Sequence, residues 1–376
     1  MKRMGLAVLL GICLTITAQA AELPDGSAKS AILMASDGTV LYESNADESL
    51  PPASVTKIMT MLLTMEALDE GRVQLTDMVT ASANACSMGG TQIYLKEGEQ
   101  MSLDDMLKSI AVGSANDAAV AVAEHLGGSE EGFVGMMNER AQQLGCTGTT
   151  FVNPNGLDTD GEETLTTARD LAIISRELMK HEVIYDYTTI WMDTVRDGTF
   201  QLANTNKLLR QYDGLTGLKT GYTSTAGFCI SATARKDGMD LIAVVMAEPD
   251  KESRNADITA MLNYGFANYG MVSILSESDA LPEIPVTLGK QENVAAVLAD
   301  DTPVLMGKEQ AGTAVREIEL QESISAPVEA GTKIGEVVVS ADGEEIARRD
   351  ILTAENVEKK GISDIYRDLL GILLMK

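Results

Sequence analysis

Short apolar runs alternate with turn residues at both ends of this chain, and longer apolar stretches with a helical repeat fill the region between. Ser30 to Ala35, then Asp37-Gly38, then Thr39 to Tyr42 predict a β-hairpin closed by a tight turn. The stretch PPASVTKIMTMLLTMEAL, Pro51 to Leu68, predicts an amphipathic helix with a lysine, Lys57, at its start. A loop-rich segment, TASANACSMGGTQIYLKEGEQ, follows. Ser102-Leu103-Asp104-Asp105 predicts a capped helix start running to about Val112. After a break at Gly113, Asp117 to Leu126 predicts another helix stopped by Gly127-Gly128, with further helices over Glu130–Leu144 and Thr167–His181. Beyond Gly214 the pattern turns to strands: Leu215 to Gly221, Gly227 to Ala234 and Asp240 to Met246, with a helix from Glu252 to Phe266. The expected class is therefore α+β, an antiparallel sheet built from the N-terminal hairpin and the late strands with a helical block inserted between them.

From about Leu275 short strands separated by turn residues predict a small all-β domain. The last sixteen residues, GISDIYRDLLGILLMK, place Ile362, Ile365, Tyr366, Leu369, Leu370 and Leu373 on one helical face. That segment is too short to span a bilayer, which takes about 20 helical residues. It suits an amphipathic helix lying in a membrane interface, with packing on its own domain as the alternative. At the other end, Lys2 and Arg3, the apolar run Leu6 to Ile16, and Ala18-Gln19-Ala20 form the pattern of a secretory signal peptide. Cys13 lies in the run behind Ile12, which does not suit a lipid-attachment site. The expected division is a signal peptide over 1–20, a catalytic domain over 21–272, a β-rich domain over 273–358 and an amphipathic helix over 359–376.

The formal net charge of −27 argues against nucleic acid or anionic lipid as an electrostatic partner. Cys86, Cys146 and Cys229 are widely spaced with no C-x-x-C, so they read as small buried hydrophobes rather than a disulfide framework or zinc site. His125 and His181, the two histidines, each close a helical pattern, which makes a Ser-His-Asp hydrolase or a histidine-rich metal site a poor fit.

With histidine scarce, the chemistry falls to lysine and serine. Ser54 and Lys57 are one helical turn apart on the same face. Serine needs a base to become a nucleophile. Lys57 can be that base if burial and the positive helix end lower its pKa. The same helix end offers N–H groups to an oxyanion. Alone, an S-x-x-K spacing arises about once by chance in a chain of this length. Two further stretches add weight. Ser114-Ala115-Asn116 lies in the loop between two helices and offers a hydroxyl and an amide to relay a proton and hold a carbonyl. Lys219-Thr220-Gly221 lies on a strand, where Lys219 and Thr220 can bind a carboxylate and Gly221 lets a substrate backbone approach. A second Ser-Ala-Asn, Ser82 to Asn84, sits in the irregular stretch and is expected to be structural.

S-x-x-K, S-x-N and K-T-G in this order are the signature of penicillin-recognising serine enzymes. The chain resembles a low-molecular-weight penicillin-binding protein, an exported D-alanyl-D-alanine carboxypeptidase of β-lactamase/transpeptidase-like fold, over nearly its full length. Phe151-Val152-Asn153-Pro154-Asn155-Gly156-Leu157, Asn204-Thr205-Asn206-Lys207-Leu208-Leu209 and Thr166-Thr167-Ala168-Arg169-Asp170 are similar too. The resemblance implies that Ser54 attacks the peptide carbonyl between two D-alanines and that Lys57 takes its proton. Ser114 would pass a proton to the departing D-alanine, and Asn116 would hold Lys57 and the substrate. Lys219 and Thr220 would seat the terminal carboxylate beside Gly221, and the N–H groups of Ser54 and Tyr222 would form the oxyanion hole. It further implies no cofactor and no metal, peptidoglycan stem peptides as substrate, β-lactams as covalent inhibitors, and a peripheral position on the outer face of the cytoplasmic membrane. Tyr222 stands where some members carry histidine, and the acidic stretch Asp158 to Leu165 where relatives often carry another.

Three other assignments share parts of this pattern. A β-lactamase would use a glutamate in an E-x-x-L-N-like stretch, which Glu162-Glu163-Thr164-Leu165-Thr166 approaches only superficially; these glutamates read as loop charge. An endopeptidase cutting cross-links would share the fold. A non-catalytic wall-binding protein would have lost Ser54, Lys57 or Lys219, and all are present.

Overall fold

The structure is a computed structural model that describes residues 26–374, save 159, 160, 162 and 276–280. The leader, Cys13 and Glu162 lie outside the described residues.

A five-stranded antiparallel sheet organises the first part of the chain. Its strands are β1 (Ser30–Ala35), β2 (Val40–Ser44), β3 (Leu215–Thr223), β4 (Gly227–Lys236) and β5 (Met239–Glu248), in the order β2-β1-β5-β4-β3. The hairpin and the three late strands thus join as expected. Period-two alternation gives the sheet two buried faces. Ile32, Met34, Ile242, Val244 and Met246 face the helical block. Ala31, Leu33, Leu241, Ala243 and Val245 face the long helix that follows β5.

The inserted block contains α1 (Lys57–Asp69), α2 (Leu103–Ala111), α3 (Asn116–Gly127), α4 (Glu130–Gln143) and α5 (Ala168–Leu178), and α6 (Lys251–Asn268) covers the other face of the sheet. Ser102, Ser129, Thr167 and Asp250 cap α2, α4, α5 and α6, each accepting a backbone N–H from the first turn. The expectation of an amphipathic helix after Pro51 is corrected. Lys57 through Met65 and Ala67 of α1 are buried, Thr60 and Thr64 included, and only its C-terminal end, at Asp69, is exposed. A helix without a solvent face is the interior element of a large core. Arg140 of α4 ties it to its neighbours by ion pairs to Glu66 at 2.7 Å and Glu177 at 3.0 Å.

The pattern missed the antiparallel pair Met192–Val195 with Phe200–Ala203 and the pair Met78–Thr80 with Gln100–Ser102. These are ribbons of three or four residues, too short to show a period. The helix expected to reach His181 ends at Leu178, and His181 instead bonds Asp69 at 2.6 Å.

The strand Tyr269–Val272 leaves α6 directly and pairs with Val304–Gly307. Beyond it, Ala296–Leu298, Glu344–Thr353, Lys333–Ala341 and Val315–Leu320 form a four-stranded sheet over a separate core that includes Ile334, Val337, Val339 and Ile351. One helical turn, Lys308–Ala311, qualifies the all-β expectation there. The chain's final described element is α7 (Ile362–Leu374), which leaves Ile362, Ile365, Tyr366, Leu369, Leu370, Ile372, Leu373 and Leu374 exposed. Among the described residues no helix is long and apolar enough to cross a membrane.

Candidate active site

The turn Ala53–Thr56 is a 3-10 segment leading into α1, so Ser54 sits at the helix mouth and is half-buried. Two glycines make room for it. A Cβ on Gly156 would lie 1.9 Å from the Ala53 carbonyl oxygen, and Gly156 holds a left-handed φ of +77°. A Cβ on Gly221 would lie 2.5 Å from the Pro52 carbonyl oxygen and 3.0 Å from the Ser54 nitrogen. Gly221 was expected to admit a substrate backbone. In the structure its bare α-carbon admits the nucleophile's own turn.

Lys57 is fully buried. Its Nζ donates to Ser54 Oγ at 2.9 Å, to Asn116 Oδ1 at 2.6 Å and to the Asn155 carbonyl at 2.7 Å. These three acceptors use all three donors of an ammonium; a neutral amine would give up one and gain a lone pair. Burial holds the Lys57 pKa well below the ordinary lysine value, the Lys219 charge adds to that, and the Asp117 charge opposes it. Ser54 is the one hydroxyl among the three partners, so it is the group able to give a proton back.

The second stretch comes from the α2–α3 junction. Ser114 is buried with a left-handed φ of +61°, and Asn116 opens α3. Asn116 is fixed at both ends of its amide, since Nδ2 donates to the Gly89 carbonyl at 2.8 Å while Oδ1 accepts from Lys57. Its backbone N–H reaches the Thr91 carbonyl at 2.8 Å.

The third stretch lies on β3, an edge strand packed against the Ser54 turn. An edge strand leaves alternate N–H and C=O groups free to pair with an extended ligand. Lys219 is buried, and its Nζ donates to the Thr220 carbonyl at 2.9 Å. Burial, with the Arg254 charge, pushes its pKa down to about 7. Thr220 Oγ1 donates to Thr205 Oγ1 at 2.8 Å. Tyr222 is exposed at the rim and stacks on Phe228, ring centroids 4.3 Å apart.

The sequence profile for D-alanyl-D-alanine carboxypeptidases matches residues 17–250, and that for the C-terminal domain of penicillin-binding protein 5 matches residues 269–359. The chain belongs to the D-alanyl-D-alanine carboxypeptidase family. A relative from Bacillus subtilis, D-alanyl-D-alanine carboxypeptidase DacF, is 40% identical over 99% of this chain and 98% of its own. Penicillin-binding protein 5 of Haemophilus influenzae superposes with a TM-score of 0.74 at 31% identity, covering 90% of this chain and all of the other. Penicillin-binding protein D2 of Listeria monocytogenes, solved in an ampicillin-bound form, has a TM-score of 0.60 at 32% identity over 65% of this chain and 100% of its own. Membership makes this chain a serine hydrolase of the cell wall, with the α+β fold and β-rich C-terminal part expected from the sequence.

Within this carboxypeptidase-family fold, residues other than the three motifs complete the site. The Asn155 carbonyl and Gly156 come from the 151–157 stretch, whose likeness to the family was visible but whose role was not. Thr205 comes from the 204–209 stretch. Arg254, buried on α6, had no signal in the sequence. Other candidates fall outside. Ser82 caps the short helix Ala83–Cys86, and Asn84 bridges Glu124 and Glu130. Glu163 is exposed, and Leu165 and Thr166 form bridges to Thr150 and Leu50. His125 is exposed on α3. All three described cysteines are free; Cys146 and Cys229 are buried as expected, but Cys86 is only partly so.

Proposed function

We propose that the protein removes the terminal D-alanine from peptidoglycan stem peptides through an acyl-enzyme on Ser54, with Lys57 as base. The observation that carries this is the Lys57 Nζ to Ser54 Oγ contact of 2.9 Å at a fully buried amine. Neutral Lys57 takes the Ser54 proton as Oγ bonds to the carbonyl carbon. The N–H groups of Ser54 and Tyr222 face the resulting oxyanion. The proton then passes by way of Ser114 to the leaving D-alanine nitrogen, while Asn116 holds both Lys57 and the substrate amide. Lys219, Thr220 and the buried Arg254 supply the corner for the terminal carboxylate, whose negative charge restores full protonation of Lys219. Water then frees the acyl group. β-Lactams acylate Ser54 by the same first step and leave slowly, so they inhibit.

Release of D-alanine from a diacyl-Lys-D-Ala-D-Ala peptide tests this. The intact protein is expected to release it and to form one covalent penicillin adduct, and Ser54→Ala to do neither. Equal release by the two proteins would refute the assignment, and rapid turnover of penicillin would favour a β-lactamase.

We further propose that the protein is exported, from the leader pattern in its first 20 residues, and held at the outer face of the membrane by α7. Eight large apolar side chains of that helix are exposed, and Arg367 and Lys376 are offset by Asp364 and Asp368. Apolar insertion rather than charge would therefore drive binding. In sedimentation with neutral phosphatidylcholine vesicles the full chain is expected to pellet and a chain ending at Lys360 to stay in solution. Identical sedimentation of both would remove α7 from the proposal.

A further inference from the structure

Asp117 follows the Ser-x-Asn stretch directly, and it is completely buried. Its carboxylate is held by backbone alone: Ile93 N–H at 3.1 and 3.2 Å, Leu95 N–H at 3.0 Å and Ala118 N–H at 2.9 Å. Tyr94, between the two donors from the loop, takes a left-handed φ of +59°, so that both neighbouring N–H groups can turn onto the same carboxylate. The loop so held is the wall of the site. Its Gly89 and Thr91 carbonyls are the acceptors that fix Asn116, and a Cβ on Gly90 would come within 2.9 Å of Asn116 Nδ2. Burying a carboxylate is costly, and the N–H donors on both of its oxygens offset that cost; an amide would turn its own NH2 toward those donors. The charge so held stands one residue from Asn116, whose Oδ1 accepts from Lys57 Nζ at 2.6 Å.

Resting on the acylation route above, we infer that Asp117 is a positioning residue with two linked roles: it fixes the 89–95 wall against Asn116, and it is the counter-charge for the ammonium formed when Lys57 takes the Ser54 proton. The proton balance is simple. Before the step the buried site holds a neutral Lys57 and the Asp117 carboxylate; after it, the Ser54 proton resides on Nζ and the carboxylate offsets that charge without touching it. The charge acting on this pair from another element is that of Lys219 on β3, which opposes protonation of Lys57 and is itself opposed by the charge of Arg254 on α6. Cys86 also lies in the field of Asp117, together with that of Glu97, Glu99 and Glu124.

The test is the pH profile of penicillin acylation, measured on the full chain for the natural protein and for Asp117→Asn. Acylation requires neutral Lys57, so the rate rises with pH through the Lys57 pKa. Loss of the carboxylate lowers that pKa, and the acid limb is expected to move down by about one pH unit while the plateau falls about tenfold. A purely structural role would slow acylation at every pH, and admission of water would move the limb upward; an unmoved or raised limb overturns the inference. Asp117→Ser is a second neutral variant with the same expectation should the amide misfold. Titration of the Cys86 thiol gives a reading independent of catalysis: neutralising Asp117 lowers its pKa, and an unchanged value would show that no charge stood there. Failure of the natural protein to be acylated at all would instead sink the carboxypeptidase assignment on which this inference stands.

Discussion

Lys57→Met is expected to slow penicillin acylation and D-alanine release by about 10²–10⁴-fold, the usual contribution of a positioned general base. Methionine nearly matches the lysine stem in volume and suits a fully buried position. What it removes is the amine shared by Ser54 Oγ, Asn116 Oδ1 and the Asn155 carbonyl. Asn116 Oδ1 and the Asn155 carbonyl lose that donor as well, so a loss of stability is expected beside the loss of the base. Lys57→Arg is expected to be equally inactive, because a guanidinium stays protonated and cannot accept from serine. Stopped-flow acylation and thermal unfolding on the same samples separate the cases. Retained activity in the methionine variant would place the base elsewhere.

Gly156→Ala is expected to cost both stability and activity. The added methyl meets the Ala53 carbonyl at 1.9 Å and Thr56 Oγ1 at 2.7 Å, on a residue whose φ of +77° already disfavours a side chain. Backbone cannot yield as a flexible side chain can, so the penalty belongs at or above the upper end of the 1–3 kcal/mol, roughly, that overpacking usually costs. The displaced element is the Ser54 turn, so activity per folded molecule is expected to fall by about 10²-fold, on the scale that a 1 Å misplacement of reacting groups costs. Calorimetric unfolding with a count of penicillin-reactive sites checks both parts. An unchanged midpoint with full acylation would mean that the turn moves freely, contrary to the packing described.

The sheet was legible because its central strands are near-continuous apolar runs, and because turns such as Asp37-Gly38 and Asp237-Gly238 mark the hairpins. The interior place of α1 was not, since thirteen residues with threonines and a lysine among methionines and leucines mimic a two-faced helix. Thr60 and Thr64 resolve this locally: they donate to the Pro154 and Thr60 carbonyls and so can be buried. For the site, side chains in contiguous motifs were readable, and backbone donors and acceptors were not. Asn155 acts through its carbonyl, Gly156 and Gly221 through absent atoms, and Arg254 through a charge placed by the fold; none of these leaves a residue-type signature. Asp117 was in plain view after Ser-Ala-Asn, but its burial depends on a loop turned back over it.

The claim on which all of this depends is the proton state of one amine. An NMR titration of the Lys57 side chain, with its Nζ or Cε signal assigned by comparison with Lys57→Met, measures it directly. The account predicts that Lys57 titrates well below the ordinary lysine value of 10.5 and is available as a neutral base, with a signal distinct from that of Lys219, which burial pushes down to about 7. An ammonium at position 57 that persists unchanged to pH values near 10 would contradict it.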